Sequence, residues 1–493
     1  MPEISVRERL AVFYRSHLRK YAFFRLLRTS LLRLGWYARG VRFAIHSALE
    51  CIRIAVVLCM MSPADRQAYL RVRERIVGDF RLVPISKFSD GVVDRTTLLP
   101  AESRGYRGAS FFGRRPAAAD ENFITIRTPE VVLLRVEGAT AAGKCDAFLY
   151  SNQAVISDQL DLERDLLVEE MSGAGRANVE RKRIRLRIES PIRYLKVPSA
   201  ISLLGGATQN YVHWLIETLP KLLLLDRCPQ FRDLPLLVDA PNHPNIFEAL
   251  DFFNVHRREL IKVAQLQPVR AEQLLFLSPP SYVPIDHRKA KFGAPSQIRP
   301  EDVMHSASGI AAIQQFLLDA LPPSSVRRKL YLRRNTTFRQ ILNAPELEAM
   351  LAADGFETIE PDRLTFRQQV DLFHTAGCIV AQCGAALGNL CLTPPGCFVI
   401  PLIANSSYIN YRYFDHLATI LGHKLVYIAG EAEVSASRHP SHADFRIDPQ
   451  DLAEALKAVS LEFEAGKPST TTAAPSESAA AQRAADRERP KAA

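Results

Sequence analysis

The sequence predicts an α/β protein built on a doubly wound parallel sheet, preceded by a β-rich segment and a basic helical arm. Three observations carry this. From Asn210 to Glu464 short apolar runs alternate with stretches of helical periodicity, the rhythm of strand–helix–strand units. Between Phe123 and Ile188 the runs are shorter and several alternate with period two, as half-buried strands do. The first 45 residues interleave arginines with aromatic and aliphatic side chains.

Residues 1–76 make up the arm. Arg15, Arg19, Lys20, Arg25, Arg28 and Arg33 are interspersed with Phe13, Leu18, Phe23, Leu27 and Trp36, a composition that suits a helix lying on an anionic membrane surface or docked on its own protein or a partner. Phe43 to Met61 is apolar but contains His46, Glu50 and Arg53. A charge at mid-bilayer costs about 2.5–3.5 kcal/mol, so a spanning helix is not expected. After Ser62-Pro63 a helical pattern runs to about Ile76. Arg81 to Ser110, with Pro84, Gly91, Pro100 and Gly105, reads as irregular. Phe123–Ile126, Val131–Val136, Ala147–Tyr150 and Ala154–Ile156 predict an antiparallel layer. Arg183, Arg185 and Arg187 alternate with Ile184, Leu186 and Ile188, a strand with a basic face.

The rhythm then changes. Asn210 to Cys228 predicts a helix, Leu234 to Val238 a strand, Pro244 to Phe253 a helix, Leu260 to Val263 and Gln273 to Phe276 strands, and Glu301 to Ala320 a helix. Pro322-Pro323-Ser324-Ser325 is the expected hinge between an N-terminal lobe, 77–322, containing the β-rich segment 120–200, and a C-terminal lobe, 323–465. In the latter, strands are expected at Lys329–Leu332, Glu357–Ile359, Cys378–Ala381, Cys397–Pro401 and Lys424–Ile428, alternating with helices at Pro345–Asp354, Thr365–Thr375, Tyr411–Leu421 and Asp451–Glu464. Residues 466–493, rich in Ala, Ser and Thr, are expected to be disordered.

With 47% hydrophobic residues in 493, the chain is neither disordered nor a small disulfide scaffold. The net charge of +10 is concentrated at the ends: residues 1–45 carry ten basic against two acidic residues, and 466–493 five against three, which leaves 46–465 neutral. Without zinc-finger spacing or an RNP-like motif beside the arginines, nucleic acid is not an expected partner. The eight cysteines form no C-x-x-C, which argues against structural zinc. No secretory leader is visible. A reducing, cytoplasmic location is expected, peripheral on the inner membrane face through the arm, where any homo-oligomer contact is also conceivable.

Two stretches carry chemistry. In Gly205-Gly206-Ala207-Thr208-Gln209-Asn210-Tyr211-Val212-His213-Trp214-Leu215-Ile216-Glu217, a glycine turn leads into a helix whose His213 and Glu217 share a face at i, i+4. The pair can act as an imidazole base oriented by an acid, as a carboxylate base beside a sugar-binding imidazole, or as a plain surface hydrogen bond. Free backbone N–H groups at the glycine-rich helix start would meet a ligand. The second stretch joins Arg333, Arg334, Arg339 and Asn343 to Gln382-Cys383-Gly384-Ala385-Ala386-Leu387-Gly388-Asn389. Arginines just past a parallel strand lie at the carboxyl edge where ligands bind, and forked guanidinium groups suit a diphosphate; a surface loop with three arginines is the plain alternative. No D-x-D metal motif falls at a strand end, so no divalent metal or other cofactor is expected.

Together these stretches resemble glycosyltransferase family 61, whose members share N-x-x-H-W-x-x-E-x-L-P, then Y-x-x-R…R-x-x-x-N, then H-G-A-x-L-x-N; here they stand at Asn210–Pro220, Tyr331–Asn343 and Cys383–Asn389. Tyr411 to Gly430 resembles the family's C-terminal pattern. The resemblance implies a GT-B architecture, two Rossmann-like lobes facing a cleft, and inverting transfer from a nucleotide-sugar, as in bacterial capsular polysaccharide biosynthesis, to a glycan or lipid-linked acceptor. It implies His213 and Glu217 as catalytic residues, Arg334, Arg339, Asn343, Gly384, Ala385 and Asn389 at the donor, and Asn210 and Trp214 at the acceptor. The chain departs from the family at Cys383, where a His is usual, and at Ala344, where an acid often stands. A non-catalytic scaffold of the same fold is the alternative, and a basic-arm nucleic-acid binder a more distant one.

Overall fold

The computed structural model describes residues 75–117, 119, 122–158, 175–178, 183–189, 195–284, 298–406, 409–433 and 442–465. The expected arm up to residue 74 and the tail 466–493 lie outside the described residues. Arg75 and Ile76, expected to close the arm's helix, instead open the strand Arg75–Pro84. Val92–Leu99 and Glu102–Tyr106 are also strands, although Pro84, Gly91 and Pro100 give that stretch an irregular look in sequence. The prolines and glycine fall at or just beyond the strand ends, where a missing N–H or a positive φ is tolerated.

The C-terminal sheet follows directly from residue type. Its strands β5 (Arg328–Leu332), β6 (Glu357–Ile359), β7 (Ala376–Gln382), β8 (Phe398–Ala404) and β9 (Lys424–Glu433) are parallel, in the spatial order β6-β5-β7-β8-β9. Ala376–Gln382 and Phe398–Ala404 are buried at every position, as near-continuous apolar runs must be when helices cover both faces. Helices α5 (Ala344–Ala353), α6 (Phe366–Phe373) and α7 (Arg412–Leu421) and a 3-10 segment, Ala385–Leu392, connect the strands. Thr365 and Gln368 cap α6 reciprocally, and Gly422, at φ 71°, ends α7 in the left-handed conformation.

Ahead of it, β1 (Leu195–Ser202), β2 (Leu236–Ala240), β3 (Leu260–Ala264) and β4 (Pro268–Leu277) pair in parallel in the order β4-β1-β2-β3. Antiparallel strands extend this sheet through β4, which accepts Val131–Glu137 and Thr140–Ala142. The strand Arg183–Glu189 is present and pairs with Arg75–Pro84. Between β1 and β2 lie α1 (Tyr211–His213), a π turn (Trp214–Thr218) and α2 (Leu219–Leu225); α3 (Pro244–Phe253) joins β2 to β3 and α4 (Ala307–Ala320) precedes β5. Every residue of α2 is buried, and all but Lys221 are apolar, as expected for a helix enclosed on all sides.

The two sheets share one continuous core, in which Leu215 and Leu219 belong to the same packed cluster as Leu387, Leu390 and Leu417. Ser110–Phe112, from the first half of the chain, pairs in parallel with β9. At the junction Tyr211 Oη donates to Asn389 Oδ1 at 2.8 Å, and Asn389 Nδ2 donates to Gln369 Oε1 at 2.8 Å. Gly388 allows the approach, because a Cβ there would meet Val212 Cα, Val212 Cγ2 and Leu215 Cδ1, each at 3.1 Å. Asn389→Ala strands both buried partners, and an unmade buried hydrogen bond costs about 1–3 kcal/mol. Chemical denaturation should show that loss; unchanged stability would mean the junction is not a tight joint.

Candidate functional site

The strand order β6-β5-β7-β8-β9 reverses direction between β5 and β7, so the crevice at their carboxyl ends is the topological switch point where open α/β sheets bind ligands. Two segments meet there. The chain leaving β5 supplies Arg334, whose Nη1 donates to the carbonyl of Cys383, just past β7, at 3.3 Å. Gly384 makes room for it, since a Cβ would lie 2.9 Å from Arg334 Nη1. Arg334 also stacks over the Phe338 ring, 4.8 Å from its centroid.

The sequence cannot tell the paired arginines apart, but the structure does. Arg333 is held by the Glu348 carboxylate. Arg334 has no carboxylate partner among the described residues. Burial, with Arg339 as a like charge nearby, pulls its guanidinium below the usual arginine range. Burial lowers Arg339 as well. Its φ of 57° is uncommon for a side chain larger than glycine, and it sits in the turn that returns the chain to α5. Arg334, half-buried and without a carboxylate partner among the described residues, is poised to meet an anion, with the Arg339 guanidinium near it. Burial pushes the Cys383 thiol up to about 11, against the lowering effect of both arginines, so it is neutral near pH 7.

His213 ends α1 and Glu217 lies in the π turn. Pro220 has no N–H to give the carbonyl of Ile216, and Leu219 N–H bonds Trp214 O five residues back. His213 Nδ1 lies 2.8 Å from Glu217 Oε1, which also accepts the Val283 N–H at 3.2 Å. Burial opposes charging the imidazole, but the Glu217 carboxylate beside it and Asp146 farther off outweigh burial and hold His213 above its ordinary value. Tyr413 stands beside the pair: its ring is 6.3 Å from His213, and its buried hydroxyl has no hydrogen-bond partner among the described residues. Burial, with the Glu217 carboxylate nearby, pushes its hydroxyl well above the ordinary tyrosine range. Sequence reading missed it, because a tyrosine on a predicted helix carries no signal of which face it presents.

Other expected site residues stand elsewhere. Trp214 is 2% exposed inside the shared core, so its indole presents no surface to an acceptor. Asn389, fully buried, is the junction residue described above rather than a donor contact. Asn343 is held by both backbone groups of Ile447, and its Nδ2 reaches Glu346 Oε2 at 3.1 Å, so the acid two places beyond Ala344 does meet it. Asn210 caps α1 by accepting the Val212 N–H at 3.2 Å. Ala385 is exposed at the start of the 3-10 segment.

The glycine turn is also corrected. Its N–H groups are not free for a ligand: Gly205 N donates to Asp239 Oδ2 and Gly206 N to Asp146 Oδ2, both at 2.9 Å. Burial raises Asp146 and Asp239 to about 6 each. Among the described residues no cluster of three or more His, Cys, Asp or Glu could hold a metal ion, the six cysteines are free thiols, and no helix is long and apolar enough to cross a membrane.

The mixed α/β fold, with a parallel sheet and its switch point, is compatible with a Rossmann-like glycosyltransferase. Residues 211–400 match the family model described as Glycosyltransferase 61, and they contain the His213–Glu217 pair, Arg334, Arg339 and the Cys383–Asn389 turn. The match, over less than half of the chain, supports glycosyltransferase activity for this core. No curated protein matches the chain.

Because its folded-state value is raised, His213 contributes stability fully present below its unfolded value of about 6.5 and lost as pH rises through the folded value. Imidazole NMR titration should place its midpoint above the ordinary histidine range. In Glu217→Gln, burial should take over and move the midpoint below that range; a midpoint unmoved by the substitution would remove Glu217 as the cause.

Proposed function

We propose that the chain is an inverting glycosyltransferase that moves a sugar from a nucleotide-sugar to a growing surface glycan of the capsular type, carried on a lipid at the inner membrane face. In this reading the C-terminal part, 323–465, is the donor lobe of a GT-B enzyme and 77–322 the acceptor lobe, with residues 1–45 resting on anionic lipid. The supporting observation is that two packed segments carry chemically distinct groups: an arginine at the switch point that reaches Cys383, and a carboxylate whose geometry is set by an imidazole, on the helix that Gly388 packs against.

The chemistry follows. An acceptor hydroxyl attacks the anomeric carbon from the face opposite the diphosphate. The new C–O bond forms as the bond to the diphosphate oxygen breaks, which inverts the configuration. Glu217 Oε1 is fixed by His213 and by the Val283 N–H. Oε2, which takes no protein hydrogen bond among the described residues, receives the acceptor's proton. Negative charge grows on the departing diphosphate, and Arg334 and Arg339 offset it without a divalent ion. The neutral Cys383 thiol cannot supply the cation that a histidine there would, so the leaving-group charge rests on the arginines.

That same thiol supports a second reading, a non-catalytic scaffold that keeps the fold. Thermal shift against nucleoside diphosphates and nucleotide-sugars separates the two. The enzyme reading expects stabilisation that is lost in Arg334→Ala, and release of nucleoside diphosphate whose rate falls about 10²- to 10⁴-fold in Glu217→Gln. A folded protein stabilised by no nucleotide, with or without divalent ions, leaves the scaffold.

A further inference from the structure

The loop that follows β5 carries Arg334, Arg339 and Asn343, and a segment 104 residues onward in the chain is laid against it. That segment, 442–447, contains a further strand, β10 (Asp444–Arg446), which pairs antiparallel with the end of β9. Gly430 permits the approach, because a Cβ there would run into the carbonyl oxygen of Arg446. Behind β10, helix α8 (Pro449–Ala465) buries Leu452, Ala455 and Val459 in the core of the C-terminal sheet. The segment is therefore a firm support, anchored by the sheet on one side and by a packed helix on the other.

The loop is fastened to this support by backbone and side chain. Arg339 N–H donates to the His442 carbonyl at 3.4 Å, Phe445 N–H to the Gln340 carbonyl at 2.9 Å and Leu342 N–H to the Phe445 carbonyl at 2.8 Å. Asp444 Oδ1 accepts the Gln340 N–H at 2.7 Å. The Phe338 ring, over which Arg334 stacks, lies 4.9 Å from the His442 ring. The carboxylate contact falls where the backbone is least relaxed. Arg339 has a φ of 57°, a conformation that a residue with a side chain keeps only where its surroundings impose it. That conformation turns the next peptide, and with it the Gln340 N–H, toward Asp444. Returning Arg339 to an ordinary φ would carry the N–H away from the carboxylate and send the Arg339 side chain in another direction. The backbone contacts fix the path of the loop, whereas the Asp444 carboxylate fixes this one peptide.

We propose that Asp444 is a positioning residue of the donor site: by accepting the Gln340 N–H it holds Arg339 in the left-handed turn, and so sets the Arg339 guanidinium beside Arg334 to receive a diphosphate. The ligand is taken from the glycosyltransferase reading, on which the proposal rests and which it deepens. Asp444 acts through the backbone, since a carboxylate in direct contact with a diphosphate would repel it. Asn343, bonded to both backbone groups of Ile447, closes the same latch at the far end of the loop.

Calorimetric titration of the full-length protein with nucleoside diphosphates and with inorganic pyrophosphate tests this. Asp444→Ala should weaken binding about tenfold, as loss of a charged hydrogen bond does. Asp444→Asn keeps an acceptor oxygen and should stay within about threefold of wild type. In an Arg339→Ala background Asp444→Ala should have no further effect, because the side chain it positions is gone. Asp444→Leu removes the acceptor while keeping a branched shape, and takes the place of Asp444→Ala if that variant does not fold. Hydrogen exchange without nucleotide gives a second readout: amides of residues 339–342 should exchange about tenfold faster in Asp444→Ala and at the wild-type rate in Asp444→Asn. Undiminished binding in Asp444→Ala, equal losses in Asp444→Ala and Asp444→Asn, losses of Asp444→Ala and Arg339→Ala that simply add, or unchanged exchange would each overturn the proposal. If neither nucleoside diphosphates nor pyrophosphate bind the wild-type protein, the donor reading fails instead, and exchange alone then decides whether Asp444 holds the turn.

Discussion

The hydrogen-bonded junction of Tyr211, Asn389 and Gln369 is the constraint on which the site depends. It ties the first turn of the helix carrying His213 to the segment after β7, which carries Cys383 and Gly384. Gly388 brings the backbones into contact, and the apolar cluster around it excludes water, so each polar group must find its partner inside the protein. A second tie supports this one: Glu248, on α3, accepts the Phe366 N–H at the start of α6 at 2.8 Å, where a carboxylate also suits the helix dipole. The His213–Glu217 pair and the segment that follows β7 are held together by these short, dry contacts.

Around that junction the charges are arranged to oppose one another. Asp146, Asp239 and Glu217 share one largely buried neighbourhood with His213 and Lys221. Backbone N–H groups at Gly205, Gly206, Lys144 and Val283 satisfy much of the acids' hydrogen-bonding capacity. Raised carboxyl values at Asp146 and Asp239 and the raised value at His213 are two sides of this arrangement: burial favours neutral acids, whereas a close carboxylate favours a charged imidazole. At the switch point Arg334, which has no carboxylate partner among the described residues, tips the balance the other way, toward positive charge.

Much of the fold was legible. The strands of the C-terminal sheet announce themselves as unbroken apolar runs, and the motifs at Asn210–Pro220, Tyr331–Asn343 and Cys383–Asn389 marked the segments that come together. The i, i+4 spacing of His213 and Glu217 foretold their contact, although a π turn was hidden because its cause, Pro220, sits beyond the pair. Less legible was the stretch Arg81 to Ser110, where prolines and glycines at strand ends resemble those of a loop. The strand Ser110–Phe112 joins a sheet whose other members lie more than two hundred residues onward, and no local pattern reports such a pairing.

The sequence by itself determined the secondary structure of the parallel sheet, the family that its core resembles, and the residue types available for acid–base and anion chemistry. Each is written in local periodicity or in short spacings. Tertiary structure alone decided how those residues are used: that Asn389 is a joint and Trp214 a core residue, that Arg333 is neutralised while Arg334 is not, that the glycine turn is already filled by Asp146 and Asp239, and that Lys221 is buried in an otherwise apolar helix. A side chain's role depends on which distant groups desolvate or pair with it, and those groups are brought together only by the fold.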